Sequence, residues 1–301
     1  MEESLNEMRR LAARTDSGMV ETGIARVAIV RGVIPQHQLA AVYDPMINLI
    51  LHGSKSMTVG ARTLHYDPAT YFVMSIDLPA VGSVHPAPSG EPYLAVALTL
   101  DPAILAGLML DLPPAAAGAG GDSGFSVAAT TPQLMDAWVR MLRLMDQPGD
   151  IPALAPVYER EILYRVLQGP LGWMLRDIAT PDSAMARVSA AIQWIRRDFA
   201  RPLPVELLAD KAAMSVSAFH RHFKSVTALS PLQYQKRVRL LQARALLVAG
   251  GRSVTTAAFD VGYESATQFS REYARAFGMS PLQDSARIQA EIRTRTRSPA
   301  P

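Results

Sequence analysis

The sequence predicts an α+β protein of two domains, an N-terminal β-barrel or sandwich with accompanying helices and a C-terminal all-α domain. Two observations carry this prediction. Short runs rich in β-branched residues fill positions 23–99, and a pattern of 29 residues occurs twice between Val205 and Gln283. A chain of 301 residues is long enough for two domains that each bury a core.

The N-terminal part is predicted to consist of antiparallel strands after a short helix, whose apolar side carries Leu5, Met8 and Leu11. The strand-like runs are IARVAIVRG, MINLILHG, SMTVGARTLHY, TYFVMSI and YLAVALTL. Gly53-Ser54-Lys55 and Gly60-Ala61-Arg62 are predicted as tight turns between antiparallel neighbours. Several short strands with such turns favour a sandwich or a small barrel.

Two regular helical patterns follow the strands, after an expected flexible loop at 115–121. In 132–145 the apolar residues on one face are Leu134, Trp138, Met141, Leu142 and Met145, and in 151–167 they are Leu154, Tyr158, Ile162 and Val166. These faces could pack against the strands or form the interface of a homodimer. The sequence leaves both alternatives open.

A domain junction is predicted at 170–183, because Pro and Gly residues interrupt the helical pattern there. An amphipathic helix is predicted from Met185 onward. The expected parts of the chain are a first domain at 1–175, a second domain at 184–290 and a disordered basic tail at 291–301.

The repeated pattern aligns at an offset of fifty positions, and both copies end in the same four residues, Ser-Pro-Leu-Gln. Ser215 falls on Ser265, Phe219 on Phe269 and Arg221 on Arg271. Such a repeat indicates one supersecondary unit that is used twice.

Each copy is predicted to form two short helices joined by a tight turn. The first copy turns at Ala213-Met214 and has Ser215 as the cap of its second helix, while the second copy has Gly262 in the turn and Ser265 as the cap. Aromatic residues four positions apart face inward and leave polar residues on the other faces. This spacing is typical of helix-turn-helix units, whose second helix lies in the DNA major groove.

A connecting helix is predicted between the copies, from Pro231 to about Val248, with Ser230 as its N-cap and Gly250-Gly251 beyond its end. At the helical rise of 1.5 Å per residue it would be roughly 27 Å long. Successive major grooves on one face of DNA are roughly 34 Å apart. One chain could therefore read two adjacent groove segments without forming a dimer.

The two parts of the chain carry net charges of opposite sign. From Ser183 onward there are 18 Lys and Arg residues and 8 Asp and Glu residues, a net charge of +10, whereas the preceding residues hold 12 and 19, a net charge of −7. A basic segment that coincides with the repeat is what a phosphate-binding domain requires.

Several classes of site are excluded or disfavoured. The chain has no cysteine, which excludes disulfides and thiolate metal sites. The strand region contains His37, His52, His65 and His85, but no His-x-His pair followed by Glu at metal-binding spacing. No phosphate-binding glycine loop or serine nucleophile elbow occurs. We therefore expect no metal, no cofactor and no catalytic residue.

The first ten residues, MEESLNEMRR, lack the apolar core of a secretory signal, and no run is apolar enough to span a bilayer. We expect a soluble cytoplasmic protein that does not contact a membrane.

The segments SAFHRHFK, SPLQYQKRVRLLQARALL and FDVGYESATQFSREYARAFGMSP resemble the DNA-binding domain of AraC-type transcriptional regulators, over about residues 188–285. The segments LILHGSKSMTVG, YDPATYFVMSIDLPA and PYLAVALTLDP resemble the cupin-type barrel that precedes this domain in a subgroup of that family. The resemblance implies a seven-helix DNA-binding domain with two helix-turn-helix units, placed after a sensor domain.

The resemblance also implies roles for individual residues. The base-reading positions of the two recognition helices fall on Ser217, His220 and Arg221 in the first and on Thr267, Gln268 and Arg271 in the second. Both arginines also stand out chemically, because Arg can bond guanine bidentately, with about 1 to 3 kcal/mol of discrimination. Candidate phosphate contacts are Ser215, Lys224 and Ser265, and the two serines are also candidate helix caps.

These observations predict a sequence-specific DNA-binding transcription regulator that is not an enzyme and whose cupin-like barrel binds a small-molecule effector. The expected partners are double-stranded DNA and the effector. RNA polymerase and a second copy, bound through the helices at 132–167, are further candidates. The alternative is a cupin-type enzyme with a helical interaction module, which stoichiometric metal bound by histidine ligands would favour.

Overall fold

The computed structural model describes residues 1–297 except positions 16, 36, 38, 69, 113–120 and 122. Internal contacts divide the chain into two compact units. The first unit comprises Met1–Ser189 and the segment Arg221–Leu229, and the second comprises Ala190–His220 and the residues from Ser230 onward.

The described residues of the first unit form ten strands, and the five strand-like runs predicted from the sequence all lie in them. The strands are β1 Gly18–Glu21, β2 Val27–Arg31, β3 Ala40–Tyr43, β4 Met46–His52, β5 Ser54–Val59, β6 Arg62–Tyr66, β7 Thr70–Met74, β8 Leu78–His85, β9 Leu94–Thr99 and β10 Phe125–Ala129.

The strands form two antiparallel sheets, with the orders β1-β2-β9-β4-β7-β10 and β3-β8-β5-β6. Side chains of the two sheets meet between them: the Tyr66 hydroxyl on β6 donates to Asn48 Oδ1 on β4 at 3.1 Å. Both residues are buried. The predicted barrel or sandwich is thereby confirmed.

One of the two predicted tight turns is confirmed and the other is wrong. Gly60, with φ of +59°, lies in the hairpin that joins β5 and β6. Gly53 does not join paired strands, because β4 and β5 belong to different sheets, and the chain passes from one sheet to the other there. Its φ is +75°, and a Cβ atom at this position would lie 2.1 Å from the carbonyl oxygen of His85, so the corner requires glycine.

Helices cover the outer face of the six-stranded sheet. The helices of this part are α1 Glu2–Ala12, α2 Pro102–Leu110, α3 Pro132–Arg143, α4 Ile151–Leu167 and α5 Gly172–Ala179. Leu5, Met8 and Leu11 of α1 share one buried cluster with Leu49 of β4 and with α3. The apolar faces predicted for 132–145 and 151–167 therefore pack within this unit, and a homodimer contact through α3 and α4 would have to use their other faces.

The sequence did not predict β10 or α5. Strand β10 pairs with β7, while the loop expected at 115–121 lies outside the described residues except for Gly121. Helix α5 lies inside the segment predicted as the domain junction, 170–183, and its Met174 and Leu175 are buried in the cluster of the first unit. Neighbouring Pro and Gly residues mask this short apolar pattern in the sequence.

From Ala184 the described chain is helical, which confirms the predicted all-α part. The seven helices here are α6 Ala184–Asp198, α7 Val205–Lys211, α8 Val216–Thr227, α9 Pro231–Ala249, α10 Val254–Asp260, α11 Ala266–Phe277 and α12 Pro281–Arg297. None of the helices described in this structure has both the length and the apolar character needed to cross a membrane.

The expected disorder from residue 291 is wrong for 291–297, because α12 continues to Arg297. Arg287 Nη1 donates to Glu291 Oε1 at 2.6 Å, one helical turn further along. Such a pair supports a polar helix. The segment also has no Gly or Pro before Pro299. Residues 298–301 lie outside the described part of the chain.

Candidate nucleic-acid interface

The second copy of the repeat forms two helices joined at Gly262. At the end of α10 the Gly262 N–H donates to the Phe259 carbonyl and the Tyr263 N–H to the Ala258 carbonyl, both at 3.0 Å, which satisfies carbonyls that the helix leaves open. Gly262 has φ of +86°. A Cβ atom on Gly262 would lie 1.9 Å from the carbonyl oxygen of Ala200, so the backbone approach depends on glycine.

The first copy uses the same backbone device at Ala213, whose φ is +50°. The Ala213 N–H donates to the Asp210 carbonyl and the Met214 N–H to the Ala209 carbonyl, both at 3.0 Å. Ala213 is therefore the structural counterpart of Gly262, at an offset of 49 rather than fifty.

The constant offset of fifty is thus wrong for the first helix of each unit. Helices α7 and α10 begin 49 positions apart, whereas Ser215 and Ser265, which precede α8 and α11, are fifty apart. The turn of the second unit is one residue longer. The difference is concealed when the two copies are aligned on their closing Ser-Pro-Leu-Gln residues.

Ser215 and Ser265 lie at the starts of α8 and α11. Their hydroxyl oxygens accept the N–H groups of Ala218 and Gln268, both at 3.3 Å. This is the bonding pattern of an N-cap, which the sequence predicted for both serines. Both side chains are exposed, and the first-turn N–H groups beside them form a positive helix end.

The two recognition helices bury one face and expose the other. Phe219 and Phe223 of α8 and Phe269 and Tyr273 of α11 are fully buried, as their spacing predicts. The six residues at the predicted base-reading positions are all exposed: Ser217, His220, Arg221, Thr267, Gln268 and Arg271. Lys224 is exposed as well.

Arg221 and Arg271 form no ion pair or hydrogen bond with the residues that the structure describes. Most other arginines of the chain bond a carboxylate or a carbonyl, as Arg239 and Arg244 do. Two unpaired guanidinium groups at equivalent positions of two helices can each bond a nucleic-acid acceptor without first breaking an internal bond.

Gln268 is held by a group of residues that the sequence did not reveal. Its Nε2 donates to Glu272 Oε1 at 3.1 Å, one turn further along α11. The same carboxylate accepts from Lys236 Nζ and from the Tyr263 hydroxyl, both at 2.8 Å. Burial opposes the charged form of Glu272, but these three donors outweigh it and lower its pKa. Glu272 therefore fixes the Gln268 amide with its carbonyl oxygen available as an acceptor.

The connecting helix α9 has 19 residues, a length of about 28 Å. It ends at Gly250, whose φ is +83°, as predicted. It begins with a capping box: Gln233 N–H donates to Ser230 Oγ at 3.3 Å, and Ser230 N–H donates to Gln233 Oε1 at 3.0 Å. The second Ser-Pro-Leu-Gln segment builds the same box at the start of α12, with distances of 3.4 and 3.3 Å between Ser280 and Gln283.

Arg239 on α9 binds the backbone around the turn of the second unit. Its guanidinium donates to the carbonyls of Phe199, Gly262 and Arg201 at 2.7, 2.8 and 3.0 Å. Desolvation lowers its pKa. One side chain thus satisfies three backbone carbonyls, those of Phe199 and Arg201 beyond the end of α6 and that of Gly262 beyond the end of α10. No local sequence pattern indicates this role of Arg239, because its partners lie 23 to 40 positions away.

A buried ionic network joins α9, α11 and α12. Asp284 is fully buried and accepts hydrogen bonds from Arg244, from the Tyr273 hydroxyl at 2.9 Å and from Arg287 at 2.9 Å. Arg244 also lies over the ring of Phe277, 4.4 Å from its centroid. Burial opposes the charge of Asp284, but the three donors outweigh it and lower its pKa.

Within the part of the chain that the structure describes, no three His, Asp or Glu side chains are close enough together to hold a metal ion. His52 instead contacts Glu91 at 3.4 Å, and His220 lies beside the ring of Phe219 on the exposed side of α8.

The chain combines a unit that contains a β-barrel with two helix-turn-helix units. It therefore falls in the class of helix-turn-helix proteins that carry an N-terminal barrel. Residues 23–174 match the family described as the AraC-type transcriptional regulator N-terminus, and residues 208–287 match a helix-turn-helix domain family. The first match covers half of the chain. The protein belongs to the AraC-type transcriptional regulators.

Curated relatives include the HTH-type transcriptional activator RhaS of Escherichia fergusonii, which is 37% identical over 144 residues, 47% of this chain and 51% of RhaS. RhaS of Citrobacter koseri is 32% identical over 145 residues with the same coverage. The chain thus spans about half the length of the curated relatives it matches.

Among solved structures, wild-type ToxT of Vibrio cholerae with a bound unsaturated fatty acid aligns over 90% of this chain and 96% of ToxT. The TM-score is 0.54 and the identity is 11%. A ligand-free ToxT variant gives a TM-score of 0.56 at 10% identity, over 87% of this chain and 97% of ToxT. At such identity the likeness is one of fold.

Proposed function

We propose that the protein is a sequence-specific DNA-binding transcription regulator that works in the cytoplasm, has no catalytic activity and responds to a small-molecule effector in its N-terminal barrel. The observation that carries the proposal is the pair of capped helices, α8 and α11, whose exposed faces carry unpaired arginines at equivalent positions. A recognition helix needs such a face to bond base edges in the major groove.

Each exposed residue has a role in this proposal. Arg221 and Arg271 each bond one guanine, and Gln268 bonds an adenine with the amide that Glu272 orients. Ser217, His220 and Thr267 contact neighbouring base edges, because they occupy the first turns of the two helices. Lys224 binds a phosphate as a point charge. Ser215 and Ser265 contact phosphates beside the N–H groups that they cap.

The barrel regulates the DNA-binding part by binding an effector with different affinities in the active and inactive states. ToxT, which shares the fold, has been solved with an unsaturated fatty acid. The RhaS relatives are named transcriptional activators, which favours activation and therefore a contact with RNA polymerase. A second copy of the chain would bind through faces of α3 and α4 other than the buried ones.

Selection of bound sequences from random double-stranded DNA tests the DNA-binding function. We expect one enriched site made of two unlike half-sites in a fixed order, about one helical turn apart, because the two exposed sets differ in all but the arginine. The doubly substituted Arg221→Ala/Arg271→Ala protein, shown to be folded by circular dichroism, should enrich nothing. Enrichment of the same site by this variant, or none by the wild type, would contradict the proposal.

The alternative function, a cupin-type enzyme, finds no supporting observation among the described residues, since no three potential ligands of a metal cluster there. Metal analysis of the purified protein decides between the two. Stoichiometric iron, manganese or zinc that is lost when His52 and His65 are replaced would favour the enzyme.

A further inference from the structure

The chain crosses between the two sheets three times at one end of the first unit. Strands β4, β7 and β9 belong to the six-stranded sheet, and β5, β6 and β8 belong to the four-stranded sheet. The crossings are therefore the segments between β4 and β5, between β6 and β7, and between β8 and β9. The antiparallel register brings all three to the same end, where the paired residues are His52 and Leu94, Ser54 and His85, and Lys55 and Tyr66.

A cavity of about 490 Å³ lies at this end of the first unit. Each of the three crossings contributes residues to its lining, and so does Arg9 of α1. The described lining residues all belong to the first unit. The volume is that of a typical small-ligand site.

Hydrogen bonds to the backbone fix the shape of this cavity. Arg9 Nε donates to the Leu51 carbonyl at 2.9 Å, which holds α1 against the end of β4. In the crossing between β8 and β9, the Ala87 N–H donates to the Glu91 carbonyl and the Gly90 N–H to the Ala87 carbonyl, both at 2.9 Å. The cavity is therefore formed before a ligand binds, which lowers the entropy cost of binding.

Four ionisable side chains line the cavity: Arg9, His52, Asp67 and Glu91. The positive charge of Arg9 is compensated within α1. Its Nη1 donates to Asn6 Oδ1 at 2.9 Å and to Glu2 Oε1 at 3.4 Å.

His52 carries little positive charge at neutral pH. Its side chain is 18% exposed. Burial and the nearby charge of Arg9 lower its pKa, and the opposing effect of Glu91 is smaller. A pKa below the ordinary value of 6.5 leaves the imidazole mostly neutral at pH 7. The two carboxylates, Asp67 and Glu91, therefore make the cavity negative.

Glu91 has an oxygen atom available for a ligand. Its Oε2 accepts the Ser89 hydroxyl at 2.8 Å and lies 3.4 Å from His52 Nδ1. Its Oε1 accepts no hydrogen bond from the residues that the structure describes. Asp67 and the Ser54 hydroxyl supply further acceptor atoms in the same lining.

The chemistry of the lining selects among ligand classes. An anion would meet two carboxylates, and a metal ion would need three ligands that the described side chains do not bring together. A neutral polyol would leave the carboxylates without a counter-charge. Quaternary ammonium ions are held by aromatic rings, and the described lining residues include none.

A primary ammonium ion supplies what this lining lacks. It carries one positive charge and three N–H donors, which match the acceptor atoms of Glu91, Asp67 and Ser54. The remaining surface can contact an apolar body, because it is formed largely by Pro68, Pro86, Ala87 and Pro88.

We infer that the effector is a small primary amine with an apolar body, whose ammonium group pairs with Glu91 and Asp67 in the cavity at the sheet crossings. The inference rests on the proposed effector-dependent function and names its ligand class.

The test uses the full chain and three amines, benzylamine, phenethylamine and hexylamine. Each is compared with the neutral alcohol of the same carbon skeleton. Thermal unfolding and calorimetric titration at neutral pH are measured for the wild type, Glu91→Gln, Asp67→Asn and Glu3→Gln. The last variant removes an exposed carboxylate of α1 that does not line the cavity, and it serves as the control.

We expect at least one amine, and not its alcohol, to raise the melting temperature of the wild type and of Glu3→Gln. Glu91→Gln should weaken binding of that amine roughly tenfold, because a hydrogen bond to a charged group is lost, and Asp67→Asn should weaken it as well. The inference is overturned if no amine stabilises the wild type, if the alcohols bind equally well, or if Glu91→Gln keeps the affinity.

Gel shifts with and without the bound amine separate this inference from the DNA-binding function. The amine should change the affinity of the wild type for its selected DNA site, and the same concentration should have less effect on Glu91→Gln. An amine that binds but leaves DNA affinity unchanged would overturn its role as effector. A wild type that binds an amine but selects no DNA would contradict only the DNA-binding function, and one that selects DNA but binds no amine would contradict only the ligand class.

Discussion

Arg244 and Asp284 form a buried bidentate ion pair, with Nε to Oδ2 at 2.7 Å and Nη2 to Oδ1 at 3.1 Å, that joins helix α9 to helix α12. The carboxylate is fully buried and the arginine side chain is 10% exposed. A pair of this kind is costly to break, because removal of one partner leaves the other charged and buried.

Asp284→Ala or Arg244→Met should therefore destabilise the protein by about 3 to 5 kcal/mol, whereas the double variant Arg244→Met/Asp284→Leu should recover much of the loss. Urea unfolding measures these differences. The exposed pair of Arg252 and Asp260 is the control, and its removal should cost less than about 1 kcal/mol. If removal of either ion pair lowered the free energy of unfolding by the same amount, burial would not explain the stabilising effect of the Arg244–Asp284 pair.

The lowered pKa of Asp284 also makes the stability of the protein depend on pH. Its stabilising contribution is present above the ordinary carboxyl pKa of 3.8 and is lost as the pH falls below that value, through the lower pKa of the folded state. The acid-unfolding midpoint of Arg244→Met should accordingly lie at higher pH than that of the wild type.

The two turns should respond in opposite ways to substitution. Gly262→Ala places a Cβ atom 1.9 Å from the Ala200 carbonyl oxygen in a left-handed backbone conformation, and should cost at least about 2 kcal/mol. Ala213→Gly relieves the same conformation and should stabilise by roughly 0.5 to 1 kcal/mol. Thermal unfolding of both variants measures the difference, and shifts of the same sign would contradict the proposed equivalence of the turns.

Arg221→Ala and Arg271→Ala should each weaken binding to the selected DNA site by about 1 to 3 kcal/mol and relax the preference at one guanine, a different one for each variant. Arg197→Ala, which removes the same charge from α6, should change affinity little and leave base preference intact. Gel-shift titrations at one fixed salt concentration measure both quantities. Unchanged specificity in both recognition-helix variants would show that these arginines do not recognise bases.

Glu272→Ala should relax the preference at the one base pair that Gln268 contacts, because the amide loses the carboxylate that orients it. Gln268→Ala should affect the same base pair. Competition binding against every single-base change in the site is the measurement. A Glu272→Ala protein that binds all sequences more weakly by one common factor would indicate a purely structural role for Glu272.

Stability should rise with pH in the alkaline range because of Lys55. Its pKa is about 8 in the folded protein and 10.5 when it is unperturbed, so between these values the unfolded chain binds more protons. The slope is up to about 1.4 kcal/mol per pH unit. Burial raises the pKa values of three tyrosines of the first unit, Tyr43, Tyr66 and Tyr93, so they stay neutral below pH 10.

The contribution of Lys55 is measured by urea unfolding of the wild type and of Lys55→Met between pH 8 and 9.5. The wild type should gain stability relative to Lys55→Met as the pH rises. Parallel pH profiles for the two proteins would show that Lys55 does not titrate in this window.

Much of the fold follows from local sequence patterns. Helix α4 begins and ends where its periodicity predicts, and the strand runs and the helix caps at Ser215 and Ser265 are also correct, since each depends on neighbours a few positions away. Gly53 shows the limit of such reasoning. Glycine at a corner between two sheets and glycine in a hairpin look the same in sequence, and only the pairing of distant strands distinguishes them.

The sequence likewise predicts only part of the candidate interface. The exposed faces of α8 and α11 follow from the aromatic spacing, but the hydrogen bonds of Glu272 and Arg239 link residues up to 40 positions apart. The burial of Lys55 could not be predicted either, because it depends on which residues the folded strands bring around it. No local pattern distinguishes a buried lysine on alternating strand positions from an exposed one.

The two capping boxes make the exits of the helix-turn-helix units chemically identical, although their turns differ by one residue. Each box satisfies polar groups at the first turn of the following helix, so these exits are the joints by which each unit is attached to α9 or α12. A chimera that exchanges the units at these joints would keep both attachments and reverse the order in which the two half-sites are read along the DNA.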